Sequence, residues 1–552
     1  MAEFSQRQLM FNRLGQLKTE RASWLQHWKE LSTYLSPRQG RYFVTDRNKG
    51  TRRHNAIYDN TGSRSVNILA AGLMGGLTSP ARPWFKLATG DDELDEIPAV
   101  KQWMADRTNT MLAIFQRSNT YRALHMVYKE LGVFGTAANI VMPNFDHVIH
   151  NHPLTTGEYC IATDFQGKAC TLYREFDVTV GQMVKEFGRE KCSTSVQNLY
   201  DRGTLDTWIT LVHCIEPRAD RDATKIDTLN MAWKDVYFEM AGNQDALLRE
   251  SGFKRFPAMC PRWDVEGGDI YGNSPGMEAL GDVKQLQHEQ LRKGQAIDYQ
   301  VNPPLQVPTS MKNRDVDRMP GGVTFVDVAT GNQGIRSAYD VNLNLQHLLE
   351  DIGDVRDRIR SSFFTDLFLA ITESNGRMTA TEVAERHEEK MLMLGPVLER
   401  LQDELLDPLI DATFDQMIDA GLVPPPPREL QGRELHVELV SVLAQAQRAI
   451  ATNGVDRFVG NLGQIAQFKP DVLDKFDSDK WADQYSDMLG VSPDLIVPDD
   501  QVKQIRDARA KAQAAAAQQQ QANMAADTAQ KLGATPTNGG NAASDVMSLF
   551  SQ

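Results

Sequence analysis

"VNLNLQHLLEDIGDVRDRIRSSFF", Val341 to Phe364, places Val341, Leu345, Leu348, Ile352, Val355, Ile359 and Phe363 at steps of three and four. That spacing predicts a long helix over 338–364 whose apolar side is a narrow, coiled-coil-like seam. On a helical wheel the opposite side carries Glu350, Asp354 and Asp357, and Arg356 and Arg360 sit on one flank. So thin a seam cannot build a core alone. It must lie against copies of itself or against the other sparse helix of the chain, 277–301, whose apolar positions are Leu280, Val283, Leu286, Leu291, Ile297 and Val301.

Between these two helices lies "NPPLQVPTSMKNRDVDRMPGGVTFVD", a Pro/Gly-rich insert predicted to hold short strands. After them comes "TDLFLAITESNGRM" (365–378). Its first half can continue a helix, while Asn375-Gly376 favours positive φ and turns the chain back. Thr379 and Glu382 then form a capping box that opens a third long helix to about Ala420, with Pro396 and Pro408 inside it as expected kinks. "GLVPPPP" (421–427) is a stiff break. A short strand "LHVELV" and a helical region follow; of residues 508–530, 17 of 23 are Ala or Gln, which predicts a solvated helix leading into a disordered tail.

Toward the N-terminus, residues 3–36 read as a helix stopped by Pro37, with Leu14, Leu17, Trp24, Trp28, Leu31 and Leu35 near helical spacing. "GSRSVNILAAGLMGG" (62–76) is a helix of small residues, which permits close helix contact, and "IPAVKQWMADRTNTMLAIFQ" and "YRALHMVYKELGVFG" are two more. Between them "LTSPARPWFKL" (77–87) is held stiff by two prolines and presents Trp84 and Phe85 for packing, which must be covered. "GEYCIATDFQGKACTLYREF" alternates around a Gln-Gly turn and predicts a β-hairpin; a second strand set spans 207–263 with "WITLVHCIEP", "DVYFEMAG" and "PAMCPRW".

Of the 552 residues, 41% are hydrophobic and 24% charged, the balance of a globular chain. A net charge of −14 disfavours tight non-specific DNA binding. No run of about 18 apolar residues indicates a membrane span and no apolar leader indicates secretion. Five cysteines without a Cys-x-x-Cys pair argue for reduced packing residues. "GNSPG" (272–276) matches a nucleophile elbow in letters alone, because Pro275 follows the serine and has no N–H for an oxyanion hole; it reads as a turn with Pro275 starting a helix. His147, His150, His152 and Cys160 could be assembled into a metal site, yet on a strand only His150 and His152 share a face. "GKA" (167–169) lacks the Ser or Thr and the glycine frame of a phosphate loop, and "HEEKM" (387–391) and "HEQLR" (288–292) lack a second histidine. No catalytic residue, cofactor site or metal site is expected.

Three blocks, "YDNTGSRSVNILAAGLMGGLTSPARPWFKL" (58–87), "RWDVEGGDIYGNSPGMEALGDVKQL" (262–286) and "TATEVAERHEEKMLMLGPVLERLQDELLDPLI" (379–410), resemble, in this order, the head-to-tail connector or portal proteins of short-tailed double-stranded DNA bacteriophages. The resemblance runs from about residue 5 to 450. It implies an α+β, mainly helical fold assembled as a ring, usually of twelve subunits, at one capsid vertex. It implies a wing over 1–274, a first stem helix over 275–301, a clip over 302–337 and a second stem helix over 338–364. A tunnel loop over 365–378, a kinked wing helix over 379–420, a crown over 421–511 and an Ala/Gln-rich and disordered tail over 512–552 complete the layout. The expected roles are channel lining for Glu350, Asp354 and Asp357; a tunnel gate for Ser374, Asn375, Gly376 and Arg377; clip contacts for Lys312, Arg314 and Arg318; and wing packing for Trp84 and Phe85. The implied partners are further copies of the chain, major capsid and scaffolding proteins, the terminase large subunit, tail adaptor proteins and double-stranded DNA that passes without sequence-specific binding. The implied place is the virion, with host cytoplasm during assembly. A tail-adaptor or scaffolding protein without a DNA conduit is the alternative from another class.

Overall fold

The structure, a computed structural model, describes residues 5–42, 56–95, 97–222, 224–225, 227–242, 246–301, 304–307, 312, 336–337, 346–373, 393–433 and 435–440. Further along it describes 459, 461–465, 468–469, 471, 476–482, 497, 499–534, 536–537 and 540–541. The chain divides into two compact units, Met1–Asp456 and Arg457–Gln552.

Helix α1 (Gln6–Tyr34) starts where the Ser5 hydroxyl accepts from the Gln8 N–H. Its two ends serve different cores. Met10, Leu14 and Leu17 pack with Cys160, Tyr173, Val212, Cys214, Val236 and Phe238, whereas Trp28, Leu31 and Leu35 join the main core. Helix α2 (Thr61–Gly76) is the small-residue helix; α5 (Thr120–Phe134) packs against it, and α4 (Pro98–Arg117), preceded by the single turn α3 (Asp92–Asp95), packs against α5. Gly132 is a place of close contact in this bundle: a Cβ on it would meet Leu69. Strand β1 (Phe85–Ala88) lies between α2 and α3.

Two antiparallel sheets follow. Strands β2 (Ala138–Asn144) and β3 (Val148–Leu154) make a hairpin that the local pattern did not announce, since its residues follow no clean alternation. Strands β4 (Tyr159–Thr163), β5 (Ala169–Thr179), β6 (Trp208–Pro217), β7 (Trp233–Glu239) and β8 (Arg249–Phe253) form a five-stranded meander in that order. The β4–β5 hairpin turns where Asp164 Oδ1 accepts from the Gln166 and Lys168 N–H groups, so the Gly-Lys of "GKA" belongs to a turn. Two short helices, α6 (Val180–Phe187) and α7 (Thr194–Asp201), cover the face opposite α1 through Val180, Met183, Val196, Leu211 and Tyr237. The capping box of α6, Thr179 with Gln182, was the available sequence signal for it. Strand β9 (Ala258–Met259), expected in the second strand set, pairs instead with β2. Its partner lies more than a hundred residues upstream, which local spacing cannot reveal.

After the turn at 272–274 comes α8 (Pro275–Glu278), then α9 (Leu280–Val301), with a break at Ala279 in what the pattern reads as one helix. Within 302–337, the span expected to be a clip, β10 (Leu305–Gln306) pairs with β11 (Arg336–Ser337), and Lys312 is exposed. Helix α10 (Gln346–Ser362) is the seam helix; 338–345 fall outside the described residues. Its Ile352, Val355 and Ile359 are buried, followed by Phe363, and it packs against α9 and α2 within the chain. Phe364, at φ 51°, ends it, and α11 (Thr365–Glu373) sets off again. The start of the expected tunnel loop is therefore helical and anchored: Phe368 is buried over Gly72 of α2. Ser374, Asn375, Gly376, Arg377 and the Thr379–Glu382 box lie outside the described residues.

Helix α12 (393–401) runs through Pro396 and passes into a π-turn, Gln402–Leu406, then α13 (Asp407–Asp419). The Asp407 N–H bonds to the Gln402 carbonyl, five residues back. A proline at 408 cannot donate, and its ring would press on the Glu404 carbonyl; one wide turn before it relieves that crowding. Beyond the prolines, β12 (His436–Leu439) returns to pair with β1. Residues 421–440, expected to begin the crown, thus stay with the first unit. In the second unit α14 (Asp499–Ala534) is a helix whose side chains over 503–524 are exposed, followed by the β13 (Pro536–Thr537) and β14 (Gly540–Asn541) pair. No helix among the described residues is long and apolar enough to cross a membrane.

Candidate functional site

The junction of the two long helices carries an organised polar network. Arg356 of α10 donates from Nε and Nη2 to Asp59 Oδ2 at 3.1 and 2.7 Å. Gln287 of α9 accepts the Tyr58 and Asp59 N–H groups at 2.6 and 2.8 Å and donates to the Asp59 carbonyl at 3.0 Å. Gln290 adds a bond to Oδ2 at 3.2 Å. Burial pushes the Asp59 carboxyl up, but hydrogen bonds from Thr61 and Arg356 outweigh it and hold the group below the usual carboxylate range. One acidic residue before α2 thus ties both long helices to the bundle. On the other flank Arg358 reaches Asp282 of α9 at 3.2 Å.

The crest of α10 faces away from this knot. Glu350, Asp354 and Asp357 have side chains 62%, 68% and 73% exposed, opposite the seam, and each lies near a basic side chain of its own helix: His347 at 3.6 Å, Arg358 at 3.6 Å and Arg360 at 2.9 Å. Exposed pairs of this kind add about 0–1 kcal/mol each, so the crest is a solvated acidic stripe and not a stabilising network.

Trp84 and Phe85 are buried, 1% and 0% exposed. Trp84 stacks on Phe115 of α4 with centroids 5.9 Å apart, and its indole N–H donates to the Tyr121 hydroxyl at 3.4 Å. Phe85 pairs across the strands with Leu439, and the Val440 N–H donates to the Trp84 carbonyl. The stiff segment therefore closes on the returning strand β12 of the same chain. Lys312 sits apart and exposed; Arg314 and Arg318 are outside the described residues.

The residues that mimic catalytic motifs have structural duties. Ser274 caps α8: its hydroxyl accepts from the Met277 N–H at 3.0 Å and donates to the Val133 carbonyl at 2.9 Å while 1% exposed. His150 and His152 share a face of β3 with rings 4.7 Å apart, while Cys160 packs in the core beneath α1. No group of three or more metal-ligating residues occurs among the described residues. A cleft of about 920 Å³ between α1 and β5 is closed chemically by pairs such as Lys18–Glu175 at 2.6 Å and Arg41–Glu158.

Sequence reasoning missed two buried networks, because their members meet only through pairing and packing. In the meander Arg174 Nε donates to His213 Nδ1 at 3.0 Å, which leaves the ring proton on Nε2 to donate to Asp235 Oδ1 at 2.7 Å. Burial lowers His213 to about 4, with the Asp235 hydrogen bond opposing the shift. At the π-turn, Glu404 accepts from the Arg262 backbone N–H at 2.8 Å and from its Nη2 at 2.5 Å. The wide turn sets the azimuth from which Glu404 reaches this partner.

The family model for the bacteriophage head to tail connecting protein matches residues 7–497. A probable portal protein of Bordetella phage BPP-1 is 62% identical over 552 residues, covering 100% of both chains. A portal protein of Salmonella phage epsilon15 is 47% identical over 540 residues, covering 98% of this chain and 97% of that one. Among solved structures, a chain from the virion of a native gene transfer agent particle is 12% identical with a TM-score of 0.33, over 84% of this chain and 99% of that one. A chain from the neck of an empty particle of that agent, also 12% identical, gives 0.35 over 82% and 96%. Scores this low carry no argument about fold.

Proposed function

The chain belongs to the bacteriophage head to tail connecting protein family and acts as a portal, the connector between phage head and tail, and on that premise we propose that twelve copies close a ring at one capsid vertex. Viral double-stranded DNA enters and leaves through this ring, which docks the terminase large subunit during packaging and tail adaptor proteins afterwards, beside the major capsid and scaffolding proteins. The role is structural, without catalysis. The protein is a virion component that assembles in the host cytoplasm. A tail-adaptor or scaffolding role is disfavoured by the full-length likeness to two chains named portal proteins.

The observation that carries the conduit reading is α10 itself. Its seam is spent on α9, α2 and the core, while its crest of Glu350, Asp354 and Asp357 stays solvated. In a ring, a stripe of carboxylates turned to the axis repels phosphate and lets DNA slide without sticking. Negative-stain images of the purified protein should show closed rings built through heterologous contacts. A monodisperse monomer at micromolar concentration, with no rings in micrographs, would overturn the reading.

A further inference from the structure

Two faces of the first unit carry charges that the chain itself leaves unanswered. Along α5, Arg122, His125 and Lys129 recur at steps of three and four and share one side of the helix. Arg122 and His125 are exposed and Lys129 is half-buried. The stiff segment after α2 lies along the same helix: the Thr78 and Tyr128 hydroxyls meet at 3.1 Å, the Trp84 indole N–H donates to Tyr121, and the exposed Arg82 falls between these two fastenings. Among the described residues none of the four basic side chains has an ion-pair partner. Burial holds Arg82 below its ordinary value, burial and then Lys129 lower His125, and burial lowers Lys129 against the pull of Glu130, whose carboxyl group is bonded by Thr155 and Thr156. At the other end of α5 the Trp263 N–H donates to the Gly135 carbonyl at 2.8 Å, and an acidic loop begins. Asp264 and Glu266 are exposed on it, and Glu278 is exposed at the end of α8. Burial pushes the Glu278 carboxyl up, and the charges of Asp264 and Glu266 push it further. Asp264 has Arg400 at 3.9 Å, while among the described residues Glu266 and Glu278 have no ion-pair partner.

Like charges gathered on one surface repel until opposite charges meet them. In a single copy the two sets are held apart by the fold, but a second copy can bring them together. A closed ring of identical subunits needs such an arrangement, since its heterologous contact joins two different faces of the same chain. We infer that the basic side of α5 in one copy docks on the acidic loop of the next, with Arg82, Arg122 and Lys129 set against Asp264, Glu266 and Glu278. The inference rests on the ring reading and adds which faces close the ring. A DNA phosphate backbone would answer the basic side and leave the loop unmatched; a second copy answers both. Charges at the rim of an interface chiefly guide encounter and exclude wrong partners, because like charges brought together are costly. The contact therefore sets register and direction around the ring more than it sets affinity.

The test reverses each face in the full-length chain, as Arg82→Glu/Arg122→Glu and as Glu266→Lys/Glu278→Lys. All four side chains are exposed, so both proteins should keep the wild-type circular dichroism spectrum; the single changes Arg122→Glu and Glu266→Lys replace a double variant that does not. In sedimentation velocity at low salt, each reversed protein alone should need at least tenfold more protein than the wild type to assemble. Mixed one to one, the two should form rings that hold both in alternation, because each then offers the other the sign it lacks. All four changes in one chain should likewise restore assembly. Reversed proteins that assemble alone as the wild type does overturn the contact, and so does a folded pair that stays unassembled when mixed. An arginine-reversed protein that forms rings normally but no longer retains a short mixed-sequence duplex overturns it in favour of DNA on the basic side. A wild type that forms no rings removes the ring reading itself, a failure that shows before any variant is compared.

Discussion

Glu130 and His213 show how single buried groups set opposite responses to pH. Glu130 of α5 is 3% exposed and accepts from the Thr155 hydroxyl at 2.7 Å and the Thr156 hydroxyl at 2.9 Å. Burial pushes its carboxyl up to about 7, with these bonds opposing. The folded state then keeps a proton that the unfolded chain has lost, so this contribution is full below about 4.5 and fades as pH rises through 7. His213, lowered to about 4, behaves in reverse: its contribution is full above about 6.5 and is lost as pH falls toward 4. His152 is also lowered to about 4, by burial and then by Arg174. Of these three groups, the two histidines together lose more stability on acidification from pH 6.5 to 4 than Glu130 gains. Melting temperatures across pH 4–8 should show Glu130→Gln losing the decline between 4.5 and 7, and His213→Gln flattening the acid side. An unchanged profile in both variants would refute the assignment of these groups.

Among the elements, one pair fastens the π-turn to the segment after β9. Arg262 and Glu404 have side chains only 5% and 19% exposed. Removing the cation alone strands a carboxylate in a region that cannot solvate it, at a cost of about 3–5 kcal/mol, while replacing both by apolar residues of similar size is close to neutral. Arg262→Met should therefore lower the unfolding free energy by that amount, and Arg262→Met/Glu404→Met should recover most of it in denaturant titrations. Equal losses in the single and double variants would show that the pair does not act as a unit. The fault at Phe364 is a second junction of this type: it redirects the chain from α10 to α11, so that Phe368 closes over Gly72.

For the whole molecule the crest decides between two arrangements. If Glu350, Asp354 and Asp357 line the channel, changing all three to lysine creates phosphate-binding steps, and DNA packaging slows or stalls while rings still assemble. If the crest instead meets arginines of a neighbouring subunit, the same variant fails to assemble. Counting rings by electron microscopy and packaged genomes in heads built with the variant separates the two.

Elements whose signals are local were legible in the amino-acid sequence. The seam from Leu348 to Phe363, the small-residue helix at 62–76, the 157–176 hairpin and the serine-proline start at 274–275 each follow from periodicity or turn chemistry within a few residues. It also determined the family, through three blocks in fixed order, and the mainly helical α+β class. Tertiary structure alone decided what depends on distant partners. Strand β9 pairs with β2 and β12 with β1; Arg262 meets Glu404 across 142 positions, and Arg356 meets Asp59 across 297. Periodicity records which side of an element is apolar, not which neighbour covers it. That choice is made by the packing of the whole chain, where a buried charge or an open strand edge is tolerated only once its partner arrives.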